Sequence, residues 1–356
     1  MVSVSHESTF DPSAALRVNR RYDELALYAT APMNILLTGS AGFIGFHTAK
    51  ALLERGDSVI GFDNFNQYYD PELKNARNAL LEQHENFTLI RGDISNKNDL
   101  LPAFDLLGEG GTPNPQTRVC HLAAQAGVRH SIDHPEEFLR DNILGFGNVI
   151  DLCKERGVGG LIYASSSSVY GNNEERPSKE EHNTDRQVSL YGMTKKSNEL
   201  HAHVYHDLFG MHCTGLRFFT VYGPWGRPDM ALFLFTNWVL NNKPMHIFGE
   251  GKMQRDFTYI DDIVAGIVAA IDKNYPYEVF NLGAGHTEEL MDYVSAVEKA
   301  CGKEGKKEFL PMQPGDVVST SADISKAKKK LGYAPKTRIT EGVPKFVTWY
   351  REYYGV

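Results

Sequence analysis

Short, continuously apolar runs alternate with longer stretches of helical periodicity between residues 34 and 217 of this chain. The helical stretches are clearest over residues 135–154 and 191–209. The apolar runs cover residues 34–38, 58–63, 87–91, 118–122, 160–164 and 213–217. Continuous apolar strands that alternate with helices are typical of a parallel sheet covered on both faces. The pattern therefore predicts an α/β fold with a Rossmann-like, doubly wound parallel sheet.

The alternation stops after residue 217, where glycine, proline and aromatic residues become frequent. We therefore predict a Rossmann nucleotide-binding domain over residues 33–217, to which later segments return, and mainly a smaller C-terminal α/β substrate lobe over residues 218–356. In doubly wound sheets the ligand lies at the carboxyl ends of the strands, and the lobe is expected to close over them. Residues 1–32 form an N-terminal extension to which the sequence assigns no role, and the glycine-rich residues 108–111 predict a surface loop.

Composition narrows the class of partner. The chain has 356 residues and a net charge of −8, so it lacks the basic footprint of a nucleic-acid-binding protein. A few arginine or lysine residues in a cleft can still bind an anionic substrate. The four cysteines are widely spaced and form no CxxC pair, which predicts free thiols, a cytoplasmic location and no metal centre. No apolar stretch approaches the roughly 20 residues of a membrane span, and the first 31 residues contain no secretory signal, so no membrane partner is expected.

A glycine motif directly follows the first predicted strand. Gly39, Gly42 and Gly45 are spaced GxxGxxG and open a helix. Such glycines allow a tight turn, the approach of backbone to a pyrophosphate, and close packing of helix on strand, and the helix N-terminus favours the phosphates. Three spaced glycines alone are also compatible with an ordinary glycine-rich turn. Asp63, at the end of the second strand, can accept hydrogen bonds from an adenosine ribose and would repel a 2′-phosphate, which favours NAD over NADP. Asp93, at the end of the third strand, is either a second cofactor contact or a loop carboxylate.

A second motif contains candidate catalytic residues. Tyr191 and Lys195 are four residues apart on a predicted helix and therefore share a face. Such a pair also arises by chance, with a core tyrosine and a surface lysine. Here, however, residues 165–168 are four serines at the end of a central apolar strand, where a nicotinamide would lie. A tyrosine base near neutral pH needs its pKa lowered from about 10, which requires roughly 4 kcal/mol of stabilisation of the phenolate. A neighbouring lysine and an oxidised nicotinamide supply positive charge for this purpose, and a serine hydroxyl can share the proton.

These residues resemble a known family. Segments 39–45, 121–126, 163–170 and 191–195 are similar to the extended short-chain dehydrogenase/reductases that act on nucleotide sugars, and the similarity extends from about residue 33 to the C-terminus. Within that family, segments 126–129, 217–230 and 253–262 resemble the UDP-glucuronate 4-epimerases. The resemblance implies NAD as cofactor and a UDP-sugar as substrate, inverted at C4 through a transient 4-keto intermediate. It also implies a homodimer that pairs helices 135–154 and 191–209 with their copies.

The resemblance assigns roles to individual residues. Tyr191, Lys195 and Ser166 become the catalytic residues, although four consecutive serines allow a one-residue shift. Thr220 stands where galactose epimerases of this fold carry asparagine, and a short hydroxyl leaves room for a C6 carboxylate. Arg227 is a further candidate for that carboxylate, or alternatively a donor that stabilises its own loop, and Ser167 and Arg129 are additional candidates for the same group. The expected cofactor contacts are Gly39, Ala41, Gly42, Phe43, Ile44, Gly45, Asp63, Asn64, Asp93, Ile94, Leu122, Ala123, Ala124, Tyr191 and Lys195. The expected substrate contacts are Arg129, Ser167, Ser168, Thr220, Arg227, Arg255 and Asp316.

Three alternative functions stay open on the same fold. A UDP-glucuronate decarboxylase would form the same 4-keto sugar and then release CO₂. A different UDP-hexose 4-epimerase would share the chemistry but not the sugar. A non-catalytic sensor of NAD or nucleotide sugar is the third alternative, and the complete set of Ser166, Tyr191 and Lys195 argues against it because a binding protein needs no phenolate base.

Overall fold

The structure is a computed structural model that describes residues 32–108, 114–313 and 317–356. Most of the predicted N-terminal extension, residues 109–111 of the predicted glycine-rich loop, and the predicted substrate contact Asp316 lie outside the described residues.

A parallel sheet of seven strands forms the centre of the molecule. Its strand order is β11-β6-β5-β4-β1-β2-β3, and every neighbouring pair is parallel. These strands are β1 (Asn34–Thr38), β2 (Ser58–Asp63), β3 (Phe87–Arg91), β4 (Thr117–His121), β5 (Leu161–Ser166), β6 (Cys213–Phe218) and β11 (Tyr277–Leu282). Every residue of β4, β5 and β6 is buried, as expected for strands with helices on both faces. The predicted doubly wound α/β fold is confirmed.

Helices cover the sheet and build the rest of the molecule. They are α1 (Phe43–Arg55), α2 (Pro71–Leu81), α3 (Lys97–Leu107), α4 (His130–Asp133), α5 (Pro135–Phe138), α6 (Phe146–Glu155), α7 (Leu190–Phe209), α8 (Ala231–Leu240), α9 (Ile260–Lys273), α10 (Leu290–Cys301), α11 (Ser325–Leu331) and α12 (Ile339–Tyr354). The helix predicted over residues 135–154 differs in one respect, because a π-helical segment, Leu139–Gly145, joins α5 to α6. Such insertions within a helix are frequent near functional sites.

Three small sheets lie in the C-terminal part of the chain. Strands β7 (Thr220–Tyr222) and β10 (Phe257–Tyr259) are parallel, as are β8 (Pro244–Phe248) and β13 (Lys306–Leu310), whereas β9 (Gln254–Arg255) and β12 (Glu288–Glu289) are antiparallel. The chain crosses between the two parts more than once, since β11 pairs with β6 after the lobe has begun. One apolar core extends from β1 and α1 into α8, α10 and α12, so the lobe packs directly against the carboxyl ends of the central strands.

The four cysteines are all buried and unpaired, as the sequence predicts. None of the helices in the described part of the chain is both long and apolar enough to span a membrane.

Candidate active site

A cavity of about 720 Å³ lies between the carboxyl ends of the central strands and the C-terminal lobe. Its walls come from the glycine loop, the ends of β2, β4 and β5, the start of α7, and the segments around β7 and β9. All described residues predicted to contact cofactor or substrate line this cavity except Ala41 and Asp93. The sequence-predicted residues are therefore brought to one place from widely separated parts of the chain.

The glycine loop is shaped by contacts that exclude side chains. Gly39 has φ +76°, and a Cβ there would lie 2.8 Å from the backbone nitrogen of Ala123. A Cβ on Gly45 would lie 1.9 Å from the carbonyl oxygen of Gly39. Gly42 is the N-cap of α1 and offers no side-chain hydrogen bond to the first turn. The N–H groups of that turn are thus available to an anion at the cavity wall. This cradle fits a dinucleotide pyrophosphate.

Asp63 is held at the end of β2 by the loops around it. Its carboxylate accepts the N–H of Ala41 at 3.0 Å and the N–H of Phe65 at 2.8 Å, and its side chain lines the cavity. Two N–H donors leave lone pairs of the carboxylate for a ribose diol. Ala41 does not line the cavity. Its N–H instead donates to Asp63 and helps to hold the carboxylate in place.

Asp93 lies beside the cavity without lining it. Its Oδ1 accepts the N–H and the hydroxyl of Ser95, and its Oδ2 accepts the amide of Asn64 at 3.2 Å. These bonds, with burial opposing them, lower the pKa of Asp93. They are the bonds expected of the loop carboxylate that was the alternative interpretation of this residue.

Tyr191 and Ser166 meet at the cavity wall. Ser189 caps α7 by accepting the N–H of Gly192 at 3.0 Å, which places Tyr191 in the first turn of the helix beside the end of β5. The Tyr191 phenol and the Ser166 hydroxyl both line the cavity, and Ser166 Oγ accepts the N–H of Ser168 at 3.1 Å. Burial raises the pKa of Tyr191, while the Ser166 hydroxyl and the charge of Arg227 lower it.

Lys195 lies one helical turn beyond Tyr191 and is almost fully buried. Its Nζ donates to the carbonyl oxygen of Ala164 at 3.0 Å, on the strand that carries the serines. Burial lowers the pKa of Lys195 to about 8. An ammonium group with so few partners is poised to donate to a ligand in the cavity.

The sequence analysis did not identify Asn142, which helps to position the helix that carries Tyr191 and Lys195. Asn142, buried in the π-helical segment, donates to Thr194 Oγ1 at 3.1 Å and to the Gln125 carbonyl at 2.9 Å, and it accepts the N–H of Gln125 at 2.8 Å. It thereby connects α7, next to Lys195, to the segment that follows β4. A single asparagine in a helical stretch gave no signal of this role.

The opposite wall carries the predicted substrate contacts. Thr220 begins β7, and Arg227 forms a bidentate ion pair with Asp229. The Arg129 guanidinium lies 4.9 Å from the ring centre of Phe248. Arg255 donates to the carbonyl of Val318 at 3.1 Å. Ser167 and Ser168 lie in a 3₁₀ turn, Ser167–Tyr170, between the two walls.

A family model for NAD-dependent epimerases and dehydratases matches residues 35–283. The chain belongs to this family. The matched region includes the central sheet, the glycine loop and the Tyr191 helix. Membership of this NAD-dependent family therefore accounts for both the glycine loop and the group of residues around Tyr191. No cluster of side chains suited to a metal ion occurs among the residues that the structure describes.

Individual family members extend the comparison. UDP-glucuronate 4-epimerase 4 of Arabidopsis thaliana is 46% identical over 341 residues, which cover 91% of this chain and 76% of the plant protein. The crystal structure of UDP-glucuronic acid 4-epimerase from Bacillus cereus, in complex with UDP-glucuronic acid and NAD, has a TM-score of 0.83 at 38% identity and covers 90% of this chain and 100% of that chain. UDP-glucose 4-epimerase of Thermotoga maritima, with UDP-glucose, has a TM-score of 0.81 at 31% identity, covering 90% of this chain and 100% of that chain.

Proposed function

We propose that this protein is a UDP-glucuronate 4-epimerase, which interconverts UDP-glucuronate and UDP-galacturonate with retained NAD. The observation that carries the proposal is that Tyr191, Ser166 and Lys195 line the same cavity as Thr220 and Arg227. The first set suits oxidation of a sugar alcohol, and the second suits a sugar that carries a carboxylate.

Each catalytic residue has a distinct task in this scheme. Tyr191 removes the proton of the C4 hydroxyl, and later returns a proton to the same oxygen after the 4-keto sugar has turned in the pocket. Ser166 orients that oxygen through its hydroxyl, and Lys195 provides positive charge and fixes the cofactor ribose. NAD, when bound, accepts the hydride from C4 and gives it back to the opposite face. The glycine loop and Asp63 bind the cofactor throughout, so that it is not consumed.

The carboxylate of the sugar creates a hazard that the site must control. A 4-keto uronate is a β-keto acid, and it loses CO₂ when the bond from C5 to the carboxylate stands perpendicular to the carbonyl plane. Thr220 and Ser167, which both line the cavity, provide short hydroxyl groups that hold the carboxylate away from this alignment, and Arg227 provides the charge. A decarboxylase would require the opposite geometry.

The remaining assignments concern the nucleotide and the domains. Arg255 supplies a cation for the diphosphate, Arg129 is a further candidate for the sugar carboxylate, and Ser168 lines the same cavity. Residues 33–217, with β11 and α9 returning to the sheet, act as the NAD-binding domain, and most of residues 218–356 act as the nucleotide-sugar lobe.

A homodimer and a cytoplasmic location complete the proposal. Leu200, Val204 and Leu208 of α7 form an apolar stripe at helical spacing and are 55%, 50% and 69% exposed. Leu139 and Leu144, on the neighbouring π-helical segment, are also about half exposed. A two-fold axis would place these stripes against their copies in an isologous interface. The four free thiols fit a reducing compartment.

The test is incubation of purified protein with UDP-glucuronate, UDP-glucose and UDP-N-acetylglucosamine, followed by NMR of the products. We expect UDP-galacturonate from UDP-glucuronate, little turnover of the other two sugars, and release of NAD when the protein is denatured. Tyr191→Phe should abolish turnover while NAD stays bound, and Tyr275→Phe, which removes a hydroxyl outside the cavity, should not. CO₂ as the main product would instead identify a decarboxylase, and turnover by Tyr191→Phe would disprove the base assignment.

A further inference from the structure

Arg227 does not enter the cavity as an isolated cation, because Asp229 already holds it. Its Nε donates to Asp229 Oδ1 at 3.0 Å and its Nη2 donates to Oδ2 at 2.6 Å. Both side chains line the cavity and are largely buried, at 21% and 33% exposed. A bidentate pair of this kind fixes the plane of the guanidinium group. It also brings a negative charge close to the place where a uronate carboxylate would bind.

Tyr68 is the third member of this group. It lies between β2 and α2 in the sheet domain, and its hydroxyl donates to Asp229 Oδ2 at 3.0 Å. Its ring centre is 5.7 Å from Arg227 Cζ and 4.7 Å from the ring centre of His130. A Cβ on Gly127 would lie 2.9 Å from the Tyr68 hydroxyl, so only glycine leaves it this space. We call these three residues, Tyr68, Asp229 and Arg227, the arginine latch.

The latch leaves one edge of the guanidinium group to a ligand. Arginine has five N–H donors, and the pair with Asp229 uses the Nε edge. Within the described part of the chain, Nη1 has no hydrogen-bond acceptor. The edge formed by Nη1 and Nη2 can therefore bind a second carboxylate in the same plane. Arg227 and Tyr191 line the same cavity, and the charge of Arg227 lowers the pKa of the phenol.

We propose that the arginine latch sets the degree of specificity for a uronate over a neutral hexose: Asp229 holds Arg227 so that its free edge receives the C6 carboxylate, but the charge of Asp229 limits the affinity for that carboxylate, and Tyr68 weakens this repulsion. The inference rests on the proposed function, and it adds Tyr68 and Asp229 as positioning residues.

The two positioning residues act with opposite signs. Asp229→Asn removes a negative charge next to the bound carboxylate but keeps an oxygen that can accept a hydrogen bond from Arg227. It should therefore strengthen binding of the charged sugar by about tenfold, because like charges a few ångströms apart interact strongly in a partly buried site. Tyr68→Phe removes the donor that neutralises part of the Asp229 charge. It should weaken binding of the charged sugar by about threefold, which corresponds to the loss of one hydrogen bond. Neither change should alter the binding of UDP-glucose to the same extent.

The experiment is calorimetric titration of NAD-loaded protein with UDP-glucuronate and UDP-glucose, in a Tyr191→Phe background that prevents conversion of the ligand. The quantity compared is the Kd for UDP-glucose divided by the Kd for UDP-glucuronate. It should rise about tenfold in Asp229→Asn and fall about threefold in Tyr68→Phe. The controls are Asp105→Asn, which removes an equal charge paired with Arg156, and Tyr275→Phe, whose hydroxyl donates to the Lys330 carbonyl at 2.9 Å. Both controls should leave the ratio unchanged.

A purely structural role would weaken both ligands together and leave the ratio constant, and that result would overturn the latch. Changes of the same sign in both variants would overturn it too. Failure of the proposed function is seen separately, as wild-type protein that makes no UDP-galacturonate, since the affinity ratios need no turnover. If Asp229→Asn does not fold, the test rests on Tyr68→Phe, which is nearly isosteric with the wild type. In that variant the ratio of the Kd for UDP-glucose to the Kd for UDP-glucuronate must fall, and an unchanged ratio would overturn the proposal.

Discussion

Arg77 connects the glycine loop to the loop that carries Trp225 and Arg227, and its substitution tests whether this connection stabilises the site. It lies on α2 and is completely buried. Its Nη1 donates to the carbonyl of Ala41 at 2.9 Å and to the Tyr69 hydroxyl at 2.7 Å, and its Nη2 donates to the carbonyl of Trp225 at 2.5 Å. Ala41 belongs to the glycine loop, whereas Trp225 lies two residues before Arg227. One guanidinium group therefore fixes both loops at once.

The expected effect of Arg77→Met follows from these bonds. Methionine fills a similar length but leaves the Ala41 and Trp225 carbonyls without their donor. Each buried acceptor that loses its partner costs about 1–3 kcal/mol. Relief from burying a charge offsets part of this cost, so we expect a net loss of about 2–4 kcal/mol in the free energy of unfolding. Trp225 also has φ +60°, which is strained for a non-glycine residue, and without Arg77 its loop is expected to relax and to move Arg227.

The assay is urea unfolding of NAD-free and NAD-saturated protein, because bound NAD adds to stability by mass action. Arg77→Lys, which keeps one charged donor but cannot reach both carbonyls, should fall between wild type and Arg77→Met. The KM for UDP-glucuronate should rise in both variants. A loss below about 1 kcal/mol in Arg77→Met, outside the range expected for two orphaned acceptors, or complete recovery by lysine, would refute the account of Arg77 as a bridge.

Three further predictions concern the site and the oligomer. Thr220→Ala should increase the pentose by-product relative to UDP-galacturonate, measured as CO₂ release, and an unchanged product ratio would count against the carboxylate contact. Burial lowers the pKa of Lys195 to about 8 in the folded protein, against a reference value of about 10.4. Between these two pH values the unfolded state binds more protons than the folded state. The free energy of unfolding should therefore rise with pH over this range, by up to about 3 kcal/mol. Lys195→Met, compared in urea at pH 7.5 and 10 without NAD, should lack this rise, and parallel wild-type and variant curves would contradict the burial effect. Leu208→Glu should convert a dimer into a monomer in analytical ultracentrifugation, whereas a persistent dimer would exclude the proposed interface.

Local patterns predicted the fold because the buried faces of helices and strands require apolar residues at regular spacing in the sequence. The first six strands of the chain, β1 to β6, and the helix of Tyr191 match the predicted segments to within two residues at each end, whereas β11, the seventh strand of the sheet, corresponds to no predicted segment. Tyr191 and Lys195 could be paired because helical spacing alone puts them on one face. The glycine loop could be recognised because only glycine survives contacts such as that of Gly45 with the Gly39 carbonyl.

Contacts that join distant segments left no such trace. Tyr68 and Asp229 are 161 residues apart, and Arg77 and Trp225 are 148 residues apart. No periodicity links such positions, and each residue alone is an ordinary polar or aromatic side chain. Asp93 illustrates another limit: its position at a strand end predicts a cofactor contact, and this stays a prediction, while its oxygens accept hydrogen bonds from Ser95 and Asn64. Position along a strand predicts proximity to the site, but not the partner.

The state of Tyr191 explains why the site must be loaded before it can react. Burial raises the pKa of the phenol, so the chain's own residues keep it protonated. Ser166 and Arg227 oppose this shift, but Arg227 is itself largely neutralised by Asp229. Lys195 contributes less charge at alkaline pH, since its own pKa is lowered to about 8. The stabilisation that Tyr191 needs therefore exceeds the roughly 4 kcal/mol estimated for a solvent-exposed phenol. Positive charge from an oxidised nicotinamide is the missing contribution. Tyr191 in NAD-free protein should consequently show no phenolate absorbance at pH 8, and the appearance of that band on addition of NAD would measure the coupling directly. A phenolate already present without NAD would contradict it.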